Sequence, residues 1–178
     1  MMKRLILGAS VVALSLVAAP TAQAQVGFGV SAGPSLPKGD IQDIVKSGYS
    51  VNGLIGFTMP LSPLGFRGEV GYNAWDSKKS TGVDGTFSSL SGTANVVLQV
   101  PGMIVAKPYL IGGVGEHRLK VTGGGSDTTA TKFGWNVGGG INFGVGALKA
   151  MVEARYVVVS KFEDLKVNYV PVTFGIMF

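Results

Sequence analysis

The sequence predicts an all-β fold: an eight-stranded antiparallel up-and-down transmembrane β-barrel, preceded by a cleaved signal peptide. Three observations carry that expectation. The last nine residues alternate, with Val170, Val172, Phe174, Ile176 and Phe178 on one face and Pro171, Thr173, Gly175 and Met177 between them. A period-two pattern that runs into the final residue is a strand closing a sheet. Next, mean hydropathy is +0.38, yet residues 25–178 contain no unbroken apolar run of 18. Dispersed apolar residues suit barrel strands, which cross a bilayer in about 9–11 residues where a helix needs about 20. Finally, the segments between the alternating runs are short and long in turn, the asymmetry of barrels with tight turns on one side and loops on the other.

The elements follow in order. Lys3 and Arg4 precede an apolar run over residues 5–19, and Ala22–Gln23–Ala24 is an A-x-A site. The run is shorter than a membrane span and stops at Pro20, so residues 1–24 read as a secretory signal peptide cut between Ala24 and Gln25. Residues 25–178 then form one barrel domain. Its formal charge is +3 once Lys3 and Arg4 are removed from a total of +5, too little to argue for nucleic acid. With no cysteine, disulfides, thiol catalysis and Cys-based metal sites are excluded.

Strand one spans about residues 26–36, with Val26, Phe28, Val30 and Ala32 on one face. Strand two, about 49–59, sets Tyr49, Val51, Ile55 and Phe57 against Ser50, Asn52 and Thr58. Strand three, 66–75, sets Phe66, Val70, Tyr72 and Ala74 against Arg67, Glu69 and Asn73. Strand four, about 87–100, sets Leu90, Ala94, Val96, Leu98 and Val100 against Ser91, Thr93, Asn95 and Gln99. Strand five, about 107–121, is apolar and Gly-rich at first; its second half is read with Glu116, Arg118 and Lys120 inward and His117, Leu119 and Val121 outward. Strand six, 132–143, sets Phe133, Trp135, Val137, Ile141 and Phe143 against Lys132, Asn136 and Asn142. Strand seven, about 148–159, sets Leu148, Ala150, Val152, Ala154 and Tyr156 against Lys149, Met151, Glu153 and Arg155. Strand eight is the terminal one, about 167–178.

Connections 60–64, 101–106 and 144–147 are short, and 37–48, 76–86, 122–131 and 160–166 are longer and more polar. Of 25 charged residues, 13 fall in the four long loops, and none falls on a face read as lipid-facing. A Lys or Arg on that face at mid-bilayer would cost about 2–4 kcal/mol. Outward aromatics are expected in two bands: Phe57, Phe66, Tyr109, Phe143, Phe174 and Phe178 near the short turns, and Tyr49, Tyr72, Trp75, Phe133, Trp135 and Tyr156 near the long loops. A soluble lipocalin-like barrel would need a charge-rich outer face; here the polar faces are mostly Gly, Ser, Thr and Asn.

Residues 107–116 (KPYLIGGVGE), 133–143 (FGWNVGGGINF), 152–156 (VEARY) and the terminal VPVTFGIMF, with the signal peptide, resemble the small outer-membrane β-barrel family of OmpA-transmembrane-domain, OmpX and opacity-type porin-like proteins. The resemblance implies a cell outer-membrane location in a Gram-negative-type envelope, reached by export. It also implies that Val170, Val172, Phe174, Ile176 and Phe178 serve as a C-terminal signal for the outer-membrane insertion machinery. It leaves function open, because one barrel serves as anchor, adhesin, small pore or lipid-modifying enzyme. No peptidoglycan-binding domain follows the barrel, so that anchoring role is not expected.

Candidate sites are few. The inward ionisable residues are read as Arg67, Glu69, Glu116, Arg118, Lys120, Lys132, Lys149, Glu153 and Arg155, a lumen of formal charge +3. An eight-stranded barrel is just wide enough for its own side chains, so an ion-pair network plugging the lumen outweighs a narrow anion-preferring path. His117 is the single histidine, and Ser160 or Glu163 could complete a triad only by spatial assembly. The GFGVSA stretch at 27–32 matches a dinucleotide fingerprint formally but lacks the strand before and the helix after. In the first long loop, Asp40 is placed to cap a helical turn in which Ile41, Ile44 and Val45 share a face packed on the rim.

The function expected is a structural or surface-interaction role through the long loops, with no catalytic residues, cofactor or metal. The alternatives are a narrow porin-like channel for small solutes and a lipid A-modifying enzyme. Expected partners are outer-membrane lipids and lipopolysaccharide, the insertion machinery and a surface ligand for the loops. A monomer without nucleic acid is expected.

Overall fold

The computed structural model describes residues 25–59, 61–78, 85–100, 106–123, 126–145, 148–162 and 165–178. The signal peptide and Ala24 of its cleavage site lie outside the described residues. Eight strands run in order: β1 (Gln25–Gly39), β2 (Gly48–Thr58), β3 (Leu64–Asp76), β4 (Gly85–Gln99), β5 (Ala106–Gly123), β6 (Ser126–Val145), β7 (Leu148–Phe162) and β8 (Leu165–Met177). Each pairs antiparallel with its sequence neighbours, and β8 pairs with β1 to close the barrel. The final residue takes part in the closure: Phe178 N–H donates to the Phe28 carbonyl at 2.8 Å and receives the reverse bond at 2.9 Å. No edge is left, which is what a sheet in hydrocarbon requires. Among the described residues no helix is long and apolar enough to cross a membrane.

One row of paired residues can be followed round the sheet: Gly29, Leu54, Glu69, Thr93, Gly115, Gly134, Val159, Val167 and back to β1 at Gly39. The row returns ten residues along the strand, from 29 to 39. That stagger tilts the strands by about 35–45° and makes every row climb toward the long loops from β1 round to β8.

Burial follows the predicted alternation on β2, β4, β6 and β7 and on β3 as far as Asn73, beyond which Ala74, expected on the outer face, is buried. Val51, Val70, Phe66, Leu90, Trp135 and Tyr156 are exposed on the outer wall, while Ser50, Asn52, Asn73, Ser91, Asn95 and Asn136 are buried inside. The interior is crowded enough to require glycine. A Cβ on Gly134 would lie 2.7 Å from the His117 ring, and one on Gly140 would lie 2.5 Å from the Tyr109 hydroxyl.

β5 departs from the sequence reading. His117 and Leu119 are 2% and 0% exposed inside the barrel, and Glu116, Arg118 and Lys120 stand exposed on the outer wall. Height explains it. Outward Glu116 pairs with Phe133 of the outer aromatic band, so Glu116 lies at that band and Arg118 and Lys120 lie beyond it. There the lipid no longer penalises charge. Two aromatics also turn inward: Trp75 is 1% and Tyr109 2% exposed. Each has a polar partner inside, the Ser35 carbonyl for Trp75 Nε1 at 3.1 Å and Glu153 for the Tyr109 hydroxyl at 2.6 Å.

Candidate functional site: the lumen and its outer closure

Of the seven residues expected to form the lumen network, the structure brings four together and separates three. Arg67 and Glu69 point inward from β3, Glu153 and Arg155 from β7, each two residues apart and so on one face. On β3 they lie between Phe66 and Tyr72 of the two aromatic bands. They close an alternating ring. Arg67 Nη1 meets Glu153 Oε2 at 2.6 Å, Arg155 Nε meets Glu153 Oε1 at 2.7 Å, Arg155 Nη2 meets Glu69 Oε2 at 2.5 Å, and Arg67 Nη1 meets Glu69 Oε1 at 3.4 Å. The Tyr109 hydroxyl donates to Glu153 Oε2, and the Arg67 guanidinium stands 5.3 Å from the Tyr109 ring centre.

The outward β5 charges change the electrostatics of the lumen. With Glu116, Arg118 and Lys120 outside, the ring is two arginines against two glutamates and balances. The expected lumen charge of +3 falls to +2, carried by Lys132 and Lys149 outside the ring. Lys132 shares the inward parity of Asn136 on β6, and Lys149 is exposed at the short-turn mouth. Neutral amides extend the network. Asn136 Nδ2 donates to Asn95 Oδ1 at 2.9 Å, and Asn52 Nδ2 donates to Ser31 Oγ at 3.1 Å. Cavities of about 30 and 60 Å³ flank the ring, beside Arg155 and His117 on one side and beside Arg67 and Lys149 on the other. The smaller has the volume of about one water.

A second closure sits above. Gly39, at φ 66, turns the chain out of β1 into a short 3-10 turn over Asp40–Asp43. Ile41 and Val45 drop into the outer mouth against Trp75, Phe87, Leu119, Val159, Val167 and Tyr169. Trp75 stacks edge-on to Tyr169 with ring centres 5.0 Å apart. The expected cap is not formed: no side chain caps the turn, and Asp40 Oδ2 instead accepts from Lys166 N–H at 2.9 Å. Nor do the three apolar residues share a fate, since Ile44 is 37% exposed. The loop is pinned to the end of β3 by Lys46 N–H on the Asp76 carbonyl and Lys78 N–H on the Ile44 carbonyl, both at 2.8 Å.

His117 lies beneath this plug with Nδ1 3.4 Å from the Tyr169 hydroxyl. Ser160 is exposed, so it does not meet His117, and Glu163 lies outside the described residues. Among the described residues no group of His, Asp and Glu could hold a metal ion.

Comparison with known proteins decides the affiliation. The outer membrane protein beta-barrel domain family matches residues 9–178. The chain belongs to that family. Three solved structures share the fold. Neisserial surface protein A is 21% identical, with 85% of this chain and 95% of that one covered at a TM-score of 0.67. Ail, the attachment invasion locus protein of Yersinia pestis, solved with the heparin analogue sucrose octasulfate, is 22% identical, with 86% and 99% covered at 0.56. A major outer membrane protein of Thermus thermophilus is 12% identical, with 86% and 99% covered at 0.63. A search of curated proteins gives no significant match. The chain is thus an outer-membrane β-barrel protein, and its affiliation supports the outer membrane as its location.

Proposed function

We propose that this protein is a sealed outer-membrane barrel whose long loops form a surface-interaction platform, rather than a channel or an enzyme. The observation that carries the reading is the double closure of the lumen. A balanced ion-pair ring fills the middle, and an apolar plug from the first long loop fills the outer mouth. Such a lumen is narrowed at two levels, and His117, with Ser91 opposite it on β4, is buried beneath the plug rather than open to an acyl chain on the outer wall.

The loop network supports a preorganised surface. The first loop is tied to β3 and to the start of β8 by hydrogen bonds to main-chain groups, which lowers the entropy lost on binding a partner. The long loops carry six lysines against seven acidic residues in the sequence, so charge gives no reason to expect a sulfated ligand such as the heparin analogue solved with Ail. Outer-membrane lipids and lipopolysaccharide, and a surface ligand at the loops, are the partners this reading takes. The outward residues Val170, Val172, Phe174, Ile176 and Phe178 are proposed to engage the insertion machinery during assembly, and the mature protein to act as a monomer. Planar-bilayer recording of the refolded chain tests the reading. No steady single-channel current is expected, whereas regular conductance that shifts in Arg67→Ala or Arg155→Ala would establish the narrow pore instead.

A further inference from the structure

The outer wall of β1 to β6 carries a groove of about 1150 Å³ that rises diagonally from Phe28 near the short-turn side to Glu116 at the outer aromatic band and to Arg118 and Thr131 beyond it. Its floor holds Gly53, Gly68 and Gly92, and Val70, Leu90 and Phe133 rise beside it. These glycines differ from those inside. A Cβ on Gly53 or Gly92 would meet nothing within 4 Å, and one on Gly68 only Ile55 at 3.2 Å. The barrel's own packing therefore does not call for glycine at 53 or 92, although glycine weakens a strand. Missing side chains there make room only for something lying on the wall.

The upper end of the groove says what that something is. Arg118 and Lys120 point outward just beyond the aromatic band, at headgroup level, and among the described residues the Arg118 side chain has no ion pair or hydrogen bond. A guanidinium in that position binds phosphate bidentately. Glu116 lies one pleat lower on the same face, and Thr131 stands directly opposite Arg118. A carboxylate beside a bound phosphate is repulsive unless it accepts from hydroxyl groups, which favours a sugar headgroup over a simple diester lipid. We propose that this groove is a specific seat for one phosphorylated, multiply acylated glycolipid of the outer leaflet. An acyl chain lies over Gly53, Gly68 and Gly92, a phosphate sits on Arg118, and sugar hydroxyls donate to Glu116. The proposal rests on the outer-membrane reading and is independent of whether the lumen conducts.

Native mass spectrometry of the full refolded chain in zwitterionic detergent, titrated with bisphosphorylated lipid A, tests it. One lipid A per chain is expected, retained about tenfold better than its dephosphorylated form or phosphatidylglycerol. Arg118→Gln should lower retention about tenfold, and Gly53→Leu with Gly92→Leu should do so comparably while the unheated sample keeps its folded gel mobility. Lys149→Ala, at the opposite mouth, should retain lipid as the parent does. Should the leucine pair fail to fold, Arg118→Gln alone decides. Equal retention of phosphatidylglycerol, undiminished retention in folded variants, or a two-chain mass in place of the lipid adduct would each overturn the proposal. Single-channel recording of the same samples separates this outcome from failure of the sealed-lumen reading.

Discussion

β7 and β5 both place ionisable residues at every second position, and they point them in opposite directions. On β7, Glu153 and Arg155 face the lumen and sit in the ring. On β5, Glu116, Arg118 and Lys120 face outward, while His117 and Leu119 fill the interior. The difference is height. Glu153 and Arg155 lie on the strand below Tyr156 of the outer aromatic band, where lipid excludes charge from the wall. The β5 charges lie above Trp135's partner Val114, where headgroups and water accept them. Charge alternation therefore reports which face is inside only within the hydrocarbon; above it, the apolar plug decides.

Four expectations sharpen this contrast, in falling order of effect. Glu153→Ala leaves two buried arginines against Glu69 alone and takes the carboxylate from the Tyr109 hydroxyl, and should destabilise the barrel by about 3–5 kcal/mol. Urea unfolding of the refolded chain in lipid vesicles measures this, and a loss under about 1 kcal/mol would show that the ring is solvated rather than closed. Trp75→Ala empties the centre of the plug, where Phe87 and Tyr169 stack, and should cost about 3 kcal/mol by the same assay. Gly134→Ala forces a methyl group against His117 and the Val158 carbonyl, costing about 1–3 kcal/mol, whereas Gly92→Ala should change stability by less than about 0.5 kcal/mol. Glu116→Gln on β5 should also stay within about 0.5 kcal/mol, against the loss expected for Glu153 on β7. A large effect at Glu116 would mean the β5 charges are buried after all.

Much of the fold was legible because the bilayer imposes a strict period. β2, β4, β6 and β7 alternate cleanly, so their faces follow from residue order alone, and the strand limits differ mainly at the loop ends. β6 begins at Ser126, six residues before the alternation becomes visible at Lys132. Those residues extend above the membrane, where side-chain type no longer carries a face signal. Trp75 departs from expectation because aromatic residues near a strand end suit the interfacial belt equally well. Its position opposite the Ser35 carbonyl, 40 residues away, is not encoded locally. Tyr109 sits in a glycine-rich run with no polar residue to fix the register. The one available signal was parity: Trp75 follows Asn73 by two, and that parity already pointed inward.

Residue order by itself determined the strand number, the up-and-down connectivity, the lipid-facing residues of β2, β4, β6 and β7 and the identity of Arg67, Glu69, Glu153 and Arg155 as inward charges. Those are consequences of a two-residue period and of the cost of charge in lipid, both of which act locally. Tertiary structure alone decided that Arg67 meets Glu153 and Glu69 meets Arg155 across 86 residues, and that Ile41 and Val45 stopper the outer mouth. It also decided that β5 turns its charges outward. These depend on the ten-residue stagger of the closed sheet, which sets the height of each strand against its neighbours. No single strand contains that quantity.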